Sequence, residues 1–196
     1  MSALTVVYLV RHGETAWSKT GQHTGRTDIV LTDEGERQAA QLKVRLAGLS
    51  VGHVYSSPLQ RARRTADLAG FGARASIMDD LLEWDYGAYE GKTSKEIRDS
   101  RPDWDLFRDG CPGGESPAAI VARADRVVAH LRSLDSDTLL FSSGHILRVL
   151  ASRWVGQVVS YGKTLALDPA SLSMLGYEHG QEDPVLRLWN EHAPRH

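Results

Sequence analysis

The chain has 196 residues, 41% of them hydrophobic and 24% charged, enough for one domain with a full core and too few for two comfortable ones. Its 23 basic residues face 25 acidic ones for a net charge of −2, which excludes a broad basic surface for nucleic acid and leaves any anion specificity to local placement. No apolar run approaches the ~20 residues of a membrane span, MSALTVVYLV has no basic lead and meets Arg11 too early for a signal peptide, and the single cysteine, Cys111, leaves no internal disulfide. A cytoplasmic protein without nucleic-acid or membrane partners is expected.

Leu4 to Thr15 (LTVVYLVRHGET) is an apolar, β-branched run that stops at Arg11, His12 and Gly13. It reads as a buried strand that sets a fixed cation beside an imidazole at its carboxyl end, where open α/β sheets bind ligands. Gly13 is expected to offer a close backbone approach and an unhindered N–H. Trp17 to Val30 is polar, rich in Gly and Thr, and reads as loop. Thr32 then caps a helix with Asp33 and Glu34 in its first turn, and Ala39, Leu42, Leu46 and Leu49 keep helical spacing to Ser50. His53 to Ser57 is a short strand, and Pro58 suits the first turn of a helix reaching Leu68. This alternation is that of an α/β sheet.

Ser76 to Trp84 reads as an irregular or edge segment and Thr93 to Ser100 as a short helix. Arg101 to Ser116 (RPDWDLFRDGCPGGES) concentrates Pro and Gly and reads as a loop lying over something. Ser116 caps a helix to about Ser133, Thr138 to Ser142 is a second central strand, and Gly144 opens a helix from about His145 to Val155. Ser171 to Glu178 and Val185 to Trp189 form a hairpin through His179-Gly180-Gln181, whose apolar surface is the candidate for a homodimer contact.

Two further strand ends repeat the pattern of the first. Ser56-Ser57-Pro58-Leu59-Gln60-Arg61 brings Arg61 to the first turn after a strand, and Ser142-Ser143-Gly144-His145 brings hydroxyls, a glycine and an imidazole to another. If these strands are neighbours, Arg11, Arg61, His12 and His145 converge, and two guanidiniums with helix N-termini make a site for a dianion, most naturally a phosphate. Glu83, between Leu81, Leu82, Trp84 and Tyr86, is expected to hold a proton in that apolar company and to serve as general acid; the competing reading is a loop charge facing water. Cys111 is either a nucleophile or a capped thiol. Trp84, Tyr86, Tyr89 and Trp104 are either a sugar-stacking wall or packing, with packing expected for at least half. Arg108 is a candidate for a second phosphate, against a surface ion pair with an acid such as Asp105.

RHGETAW, followed by HTGRTDIVLTDEG, SSPLQRARRTA, LLEWDYGAYEG and SGHILR, resembles the histidine phosphatase superfamily in order over nearly the whole chain. WSKTGQHTG, EWDYGAYEG and RDGCPGGES are similar to a narrower group of broad-specificity acid phosphatases and a sedoheptulose bisphosphatase. The resemblance implies a single phosphoglycerate mutase-like domain: a three-layer α/β/α sandwich with a mostly parallel central sheet, helices on both faces, and a cover segment over about 85–116. It implies that His12 is phosphorylated in turnover, that Arg11 and Arg61 clamp the phosphoryl group, and that Glu83 protonates the leaving alkoxide and then activates water. Gly13, Ser18, His23, Thr24, Gly25, Ser57, Tyr86, Gly144 and Arg148 become candidate contacts for a small phosphorylated substrate, with Arg148 reaching its distal end. No metal and no other cofactor is implied.

One position departs from the pattern. The superfamily's second catalytic histidine directly precedes a glycine in the spacing His-Gly-x-x-x-Arg, and counting back along Ser143-Gly144-His145-Ile146-Leu147-Arg148 puts Ser143 in its place. An introduced substitution, a natural one with His145 as substitute, and a catalytically silent phosphate-binding module are the competing explanations. A cofactor-dependent phosphoglycerate mutase is a further alternative; the short segment from Lys92 to Glu115, and Ser18 where mutases carry asparagine, favour hydrolysis.

Overall fold

In a computed structural model, which describes residues 4–192, a six-stranded sheet has the order β3-β2-β4-β1-β5-β6. Its strands are β1 (Val7–Arg11), β2 (His53–Ser56), β3 (Ser76–Ile77), β4 (Thr138–Ser142), β5 (Leu172–Tyr177) and β6 (Pro184–Glu191). β1 pairs parallel with β4, and β2 pairs parallel with both β4 and β3, whereas the hairpin β5–β6 joins β1 antiparallel. The expected mixed sheet with helices on both faces is what the chain builds.

Alternation along the strands sorts the core into two layers. Val10, Leu139 and Phe141 pack on one face with Leu42 and Ala66 from α2 (Asp33–Arg45) and α3 (Gln60–Leu68). Leu9 and Leu140 pack on the other with Ile120, Val127, Ile146 and Leu150 from α6 (Pro117–Arg132) and α7 (Gly144–Trp154). Each such fully buried aliphatic side chain contributes about 1.5–3 kcal/mol. Thr32 and Ser116 cap α2 and α6 as read from sequence, their hydroxyls accepting from the N–H groups of Gly35 and Ala119.

Several local expectations are corrected. Inside the stretch read as loop, Ala16–Thr20 forms a short helix, α1, closed by a reciprocal Thr15–Ser18 capping pair. α2 stops at Arg45 rather than Ser50, because the chain turns through Gly48 at φ +92°. Pro58 precedes α3 instead of opening it; Leu59 holds the N-cap position. The short helix read over Thr93 to Ser100 is found as α4 (Ser94–Ser100), capped by Thr93, whereas the stretch read as loop from Arg101 to Ser116 contains a one-turn helix, α5 (Leu106–Asp109). The cover segment's Tyr86, Ile97, Trp104 and Phe107, with Trp84 just before it, are buried in the α6–α7 core layer, so it is packed structure. Among the described residues no helix is long and apolar enough to cross a membrane.

Candidate active site

β1 and β4 lie side by side in register, Arg11 opposite Ser142, so their carboxyl ends deliver His12 and Ser143 to the same edge of the sheet. His12 is buried at 4% exposure, with its backbone N–H donated to the Ser142 carbonyl at 2.9 Å. Its Nδ1 lies 2.8 Å from the Gly13 carbonyl. A carbonyl only accepts, so Nδ1 carries the proton and Nε2 keeps a lone pair. Burial first, then the guanidiniums of Arg61 and Arg11, push the His12 pKa well below its usual 6.5, which keeps the ring neutral near pH 7.

Glu83 is also buried, but its carboxylate meets backbone donors. Oε1 accepts from the N–H groups of Trp84 at 2.9 Å and Ile146 at 2.8 Å, and Oε2 accepts from that of His145 at 2.9 Å. Two of these donors open α7, so the carboxylate occupies the positive end of that helix. The apolar setting read from Leu81, Leu82 and Trp84 is therefore only half of the environment, because main-chain donors supply what water would. Arg123, buried in α6, fixes the segment from behind. It donates to the Asp80 carbonyl at 2.8 Å and pairs with Glu115 at 2.6 Å.

A cavity of about 170 Å³ opens at this edge, lined by Arg11, His12, Ser18, His23, Thr24, Glu83, Tyr86, Gly144, His145 and Arg148, together with Gly21, Gln22 and Leu167. The Arg11 guanidinium donates to the Leu167 carbonyl, while its Nε, close to Gly144, is buried without a hydrogen-bond partner among the described residues. Arg148 is held by the carbonyls of Gly162 at 2.7 Å and Lys163 at 3.0 Å. The Tyr86 hydroxyl and His145 Nδ1 are 2.6 Å apart. Burial lowers the His145 pKa well below 6.5, with Arg148 adding to the effect, and burial lowers His23 to about 4. A neutral imidazole with a free lone pair, a fixed guanidinium and a carboxylate around one anion-sized space can carry out nucleophilic phosphoryl transfer.

The model of the histidine phosphatase superfamily (branch 1) matches residues 7–192. The chain belongs to that superfamily. An enzyme of phosphatase type is what that membership gives. The chain is 44% identical over 183 residues to a Mycobacterium tuberculosis protein named acid phosphatase, covering 88% of this chain and 86% of the relative. It is 36% identical over 180 residues to a Saccharomyces cerevisiae protein named sedoheptulose 1,7-bisphosphatase, covering 76% of this chain and 66% of that one. The solved structure of an open reading frame product from Mycobacterium tuberculosis has a TM-score of 0.91 at 41% identity, covering 96% of this chain and 98% of that one.

Against the superfamily pattern read from the sequence, some candidates lie elsewhere. The Gly13 N–H is not free: it donates to Thr65 Oγ1 at 3.1 Å, and the glycine is needed because a Cβ there would stand 2.3 Å from the Gly35 carbonyl oxygen. The Gly25 N–H donates to the Glu90 carboxylate at 2.8 Å, away from the cavity. Ser57 is fully buried beside β4, its N–H on the Phe141 carbonyl. Arg61 is also fully buried and does not line the cavity; it donates to the carbonyls of Thr24, Gly25 and Thr27 at 2.8–3.1 Å, acting on His12 through its charge.

Arg108 is exposed and bound to its neighbour Asp109 at 2.8 Å rather than to Asp105, which pairs with Lys163. Burial lifts the Cys111 thiol to about 12, so it is no nucleophile. Of the four aromatic residues considered as a wall, only Tyr86 reaches the cavity; the indoles of Trp84 and Trp104 donate inward to the Glu115 and Gly110 carbonyls. The Ser18 hydroxyl is engaged in capping α1, although the residue lines the cavity. Ser143 is 1% exposed, does not line the cavity, and its hydroxyl has no hydrogen-bond partner among the described residues. Gln22, Leu167 and Arg123 were not singled out in the sequence. Only Arg123 left a signal there, a charge at a core-facing position of an otherwise amphipathic helix.

Proposed function

We propose that this enzyme hydrolyses small phosphomonoesters, sugar phosphates among them, through a phosphohistidine on His12 and without a metal ion. The observation that carries the reading is the neutral His12 ring, whose Nδ1–H is held by the Gly13 carbonyl and whose Nε2 is left as the nucleophile beside Arg11. Nε2 attacks phosphorus, the bond from phosphorus to the ester oxygen breaks, and the leaving alkoxide takes a proton from Glu83. Water then attacks the phosphohistidine, the phosphorus–nitrogen bond breaks, and its proton returns to Glu83. Both acceptor sites of Glu83 Oε1 are taken by main-chain N–H groups, whereas Oε2 has one. The shuttled proton therefore resides on Oε2.

Arg11 stabilises the charge on the transferring group, and Arg61 adds to the field from behind the loop. Hydrolysis is favoured over mutase activity because, within the cover segment, only Tyr86 lines the cavity. Lys92, Lys95, Arg98, Arg101 and Arg108 all lie outside it, leaving no basic cradle there to retain a bisphosphate.

The test is release of phosphate from p-nitrophenyl phosphate and fructose 1,6-bisphosphate, with chelator present, by the intact protein and by His12→Ala. Turnover confined to the intact protein is expected. Tight phosphate binding with no turnover in either would replace the enzyme reading with a binding module.

A further inference from the structure

Besides His12, the imidazoles of His23 and His145 line the cavity, and the steps above do not use the orientation of His145. His145 lines the space, keeps 22% side-chain exposure, and makes no hydrogen bond through Nε2 among the described residues. Its other nitrogen faces the phenol of Tyr86 at 2.6 Å. Tyr86 is 1% exposed, and His145 is its hydroxyl's one hydrogen-bond partner among the described residues. A buried phenol proton without an acceptor is costly, so the O–H donates to Nδ1, and Nδ1 must be the unprotonated nitrogen. The proton of the neutral ring then sits on Nε2.

We propose that Tyr86 is a positioning residue: by donating to Nδ1 it fixes His145 as the Nε2–H tautomer, making that imidazole a neutral hydrogen-bond donor to the phosphoryl oxygens in the cavity. The proposal rests on the phosphatase reading for its ligand. His12 and His145 thereby carry opposite tautomers, one set by a carbonyl that must accept and the other by a phenol that must donate. Burial keeps both partners in the required form, raising the Tyr86 pKa well above 10 and holding His145 neutral.

The arrangement also places a donor two residues from Ser143, whose buried hydroxyl reaches no hydrogen-bond partner among the described residues. Without the phenol, the nearest recorded acid is Glu83 Oε2, 3.9 Å from Nδ1. As Glu83 gives up its proton to the leaving group, its carboxylate draws the His145 proton to Nδ1 and turns the Nε2 lone pair toward the phosphoryl oxygens.

Two measurements test this. In protein labelled with nitrogen-15 histidine, the His145 ring, assigned by its loss in His145→Ala, should show a protonated Nε2 and a bare Nδ1. In Tyr86→Phe at alkaline pH, with Glu83 ionised, the proton should move to Nδ1. A protonated Nδ1 in the unmodified protein overturns the proposal whether or not the protein turns over substrate.

In kinetics, His145→Ala should lower kcat/KM for p-nitrophenyl phosphate by ~10²-fold, the scale of one lost donor to the reacting group. Tyr86→Phe should cost most of that, and the double variant no more than His145→Ala alone. Losses that multiply in the double variant overturn the proposal, because a phenol serving only the packing around His23 and Trp104 would act independently of His145. No turnover in the unmodified protein would strike the phosphatase reading instead, and the tautomer spectrum would still decide this one.

Discussion

Glu83 does for Ile146 what Ser143 does not: its Oε1 accepts the Ile146 N–H at 2.8 Å at the start of α7, while Ser143, in the N-cap position, makes no side-chain capping bond. One carboxylate thus closes a helix that carries His145 and Arg148 to the cavity, and in the proposed mechanism the same carboxylate serves the leaving group. Stability and chemistry are joined in a single side chain.

Glu83→Gln separates the two roles. Glutamine has one acceptor oxygen and presents an NH₂ group to at least one of the three N–H donors, so unfolding free energy should fall by about 1–3 kcal/mol, read as a lower midpoint in urea. Turnover of alkyl phosphates should fall much further than that of p-nitrophenyl phosphate, whose leaving group needs little protonation. Equal losses on the two substrates would remove Glu83 from the acid role.

Ser143→His should raise turnover of p-nitrophenyl phosphate, because at the carboxyl end of β4 it replaces a buried hydroxyl, which has no hydrogen-bond partner among the described residues and does not line the cavity, with a longer donor next to Gly144, which does. With His145 already supplying one donor, the gain should lie toward the lower end of the ~10²–10³ that one such contact provides. Steady-state kcat checks it. Unchanged rates would mean that position 143 does not face the transferred group.

Stability should fall with acid in a window set by histidines rather than carboxylates. His12 and His145 are held well below 6.5, and His23 at about 4, each mainly by burial. A base whose folded pKa lies below its unfolded value takes up its proton first in the unfolded chain, so stability is full above pH 6.5 and is lost as pH falls through that value. His23→Gln should flatten the decline between pH 6.5 and 4 by up to about 3 kcal/mol, measured by thermal unfolding at fixed ionic strength. An unchanged slope would contradict the assignment.

The two strands that carry the site were legible because each is a short apolar run ending abruptly in polar or charged residues, Arg11-His12 and Ser142-Ser143. Their adjacency was only a condition in the sequence, because α/β alternation does not set strand order; the parallel pairing of β1 with β4 supplies it. The short helix at Ala16–Thr20 was not legible, since five residues give no apolar period and the Thr15–Ser18 cap looks like loop composition.

The sequence likewise could not say where a guanidinium or an N–H is spent. Gly13 and Gly25 looked free until Thr65 and Glu90, distant in sequence, were seen to accept from them. Arg61 looked like a ligand-binding fork until the Thr24–Thr27 loop folded over it. The opposite tautomers of His12 and His145 are set by a carbonyl and a phenol that only the fold brings within reach.

The most direct test of the central claim is to mix the enzyme with p-nitrophenyl phosphate, quench within the first turnovers under conditions that preserve phosphoramidates, and locate the phosphoryl group by peptide mass spectrometry. An acid-labile phosphate on His12 and on no other residue, absent from His12→Ala, is the predicted result. Sustained turnover with no phosphoenzyme, or a phosphoryl group on another side chain, would contradict it.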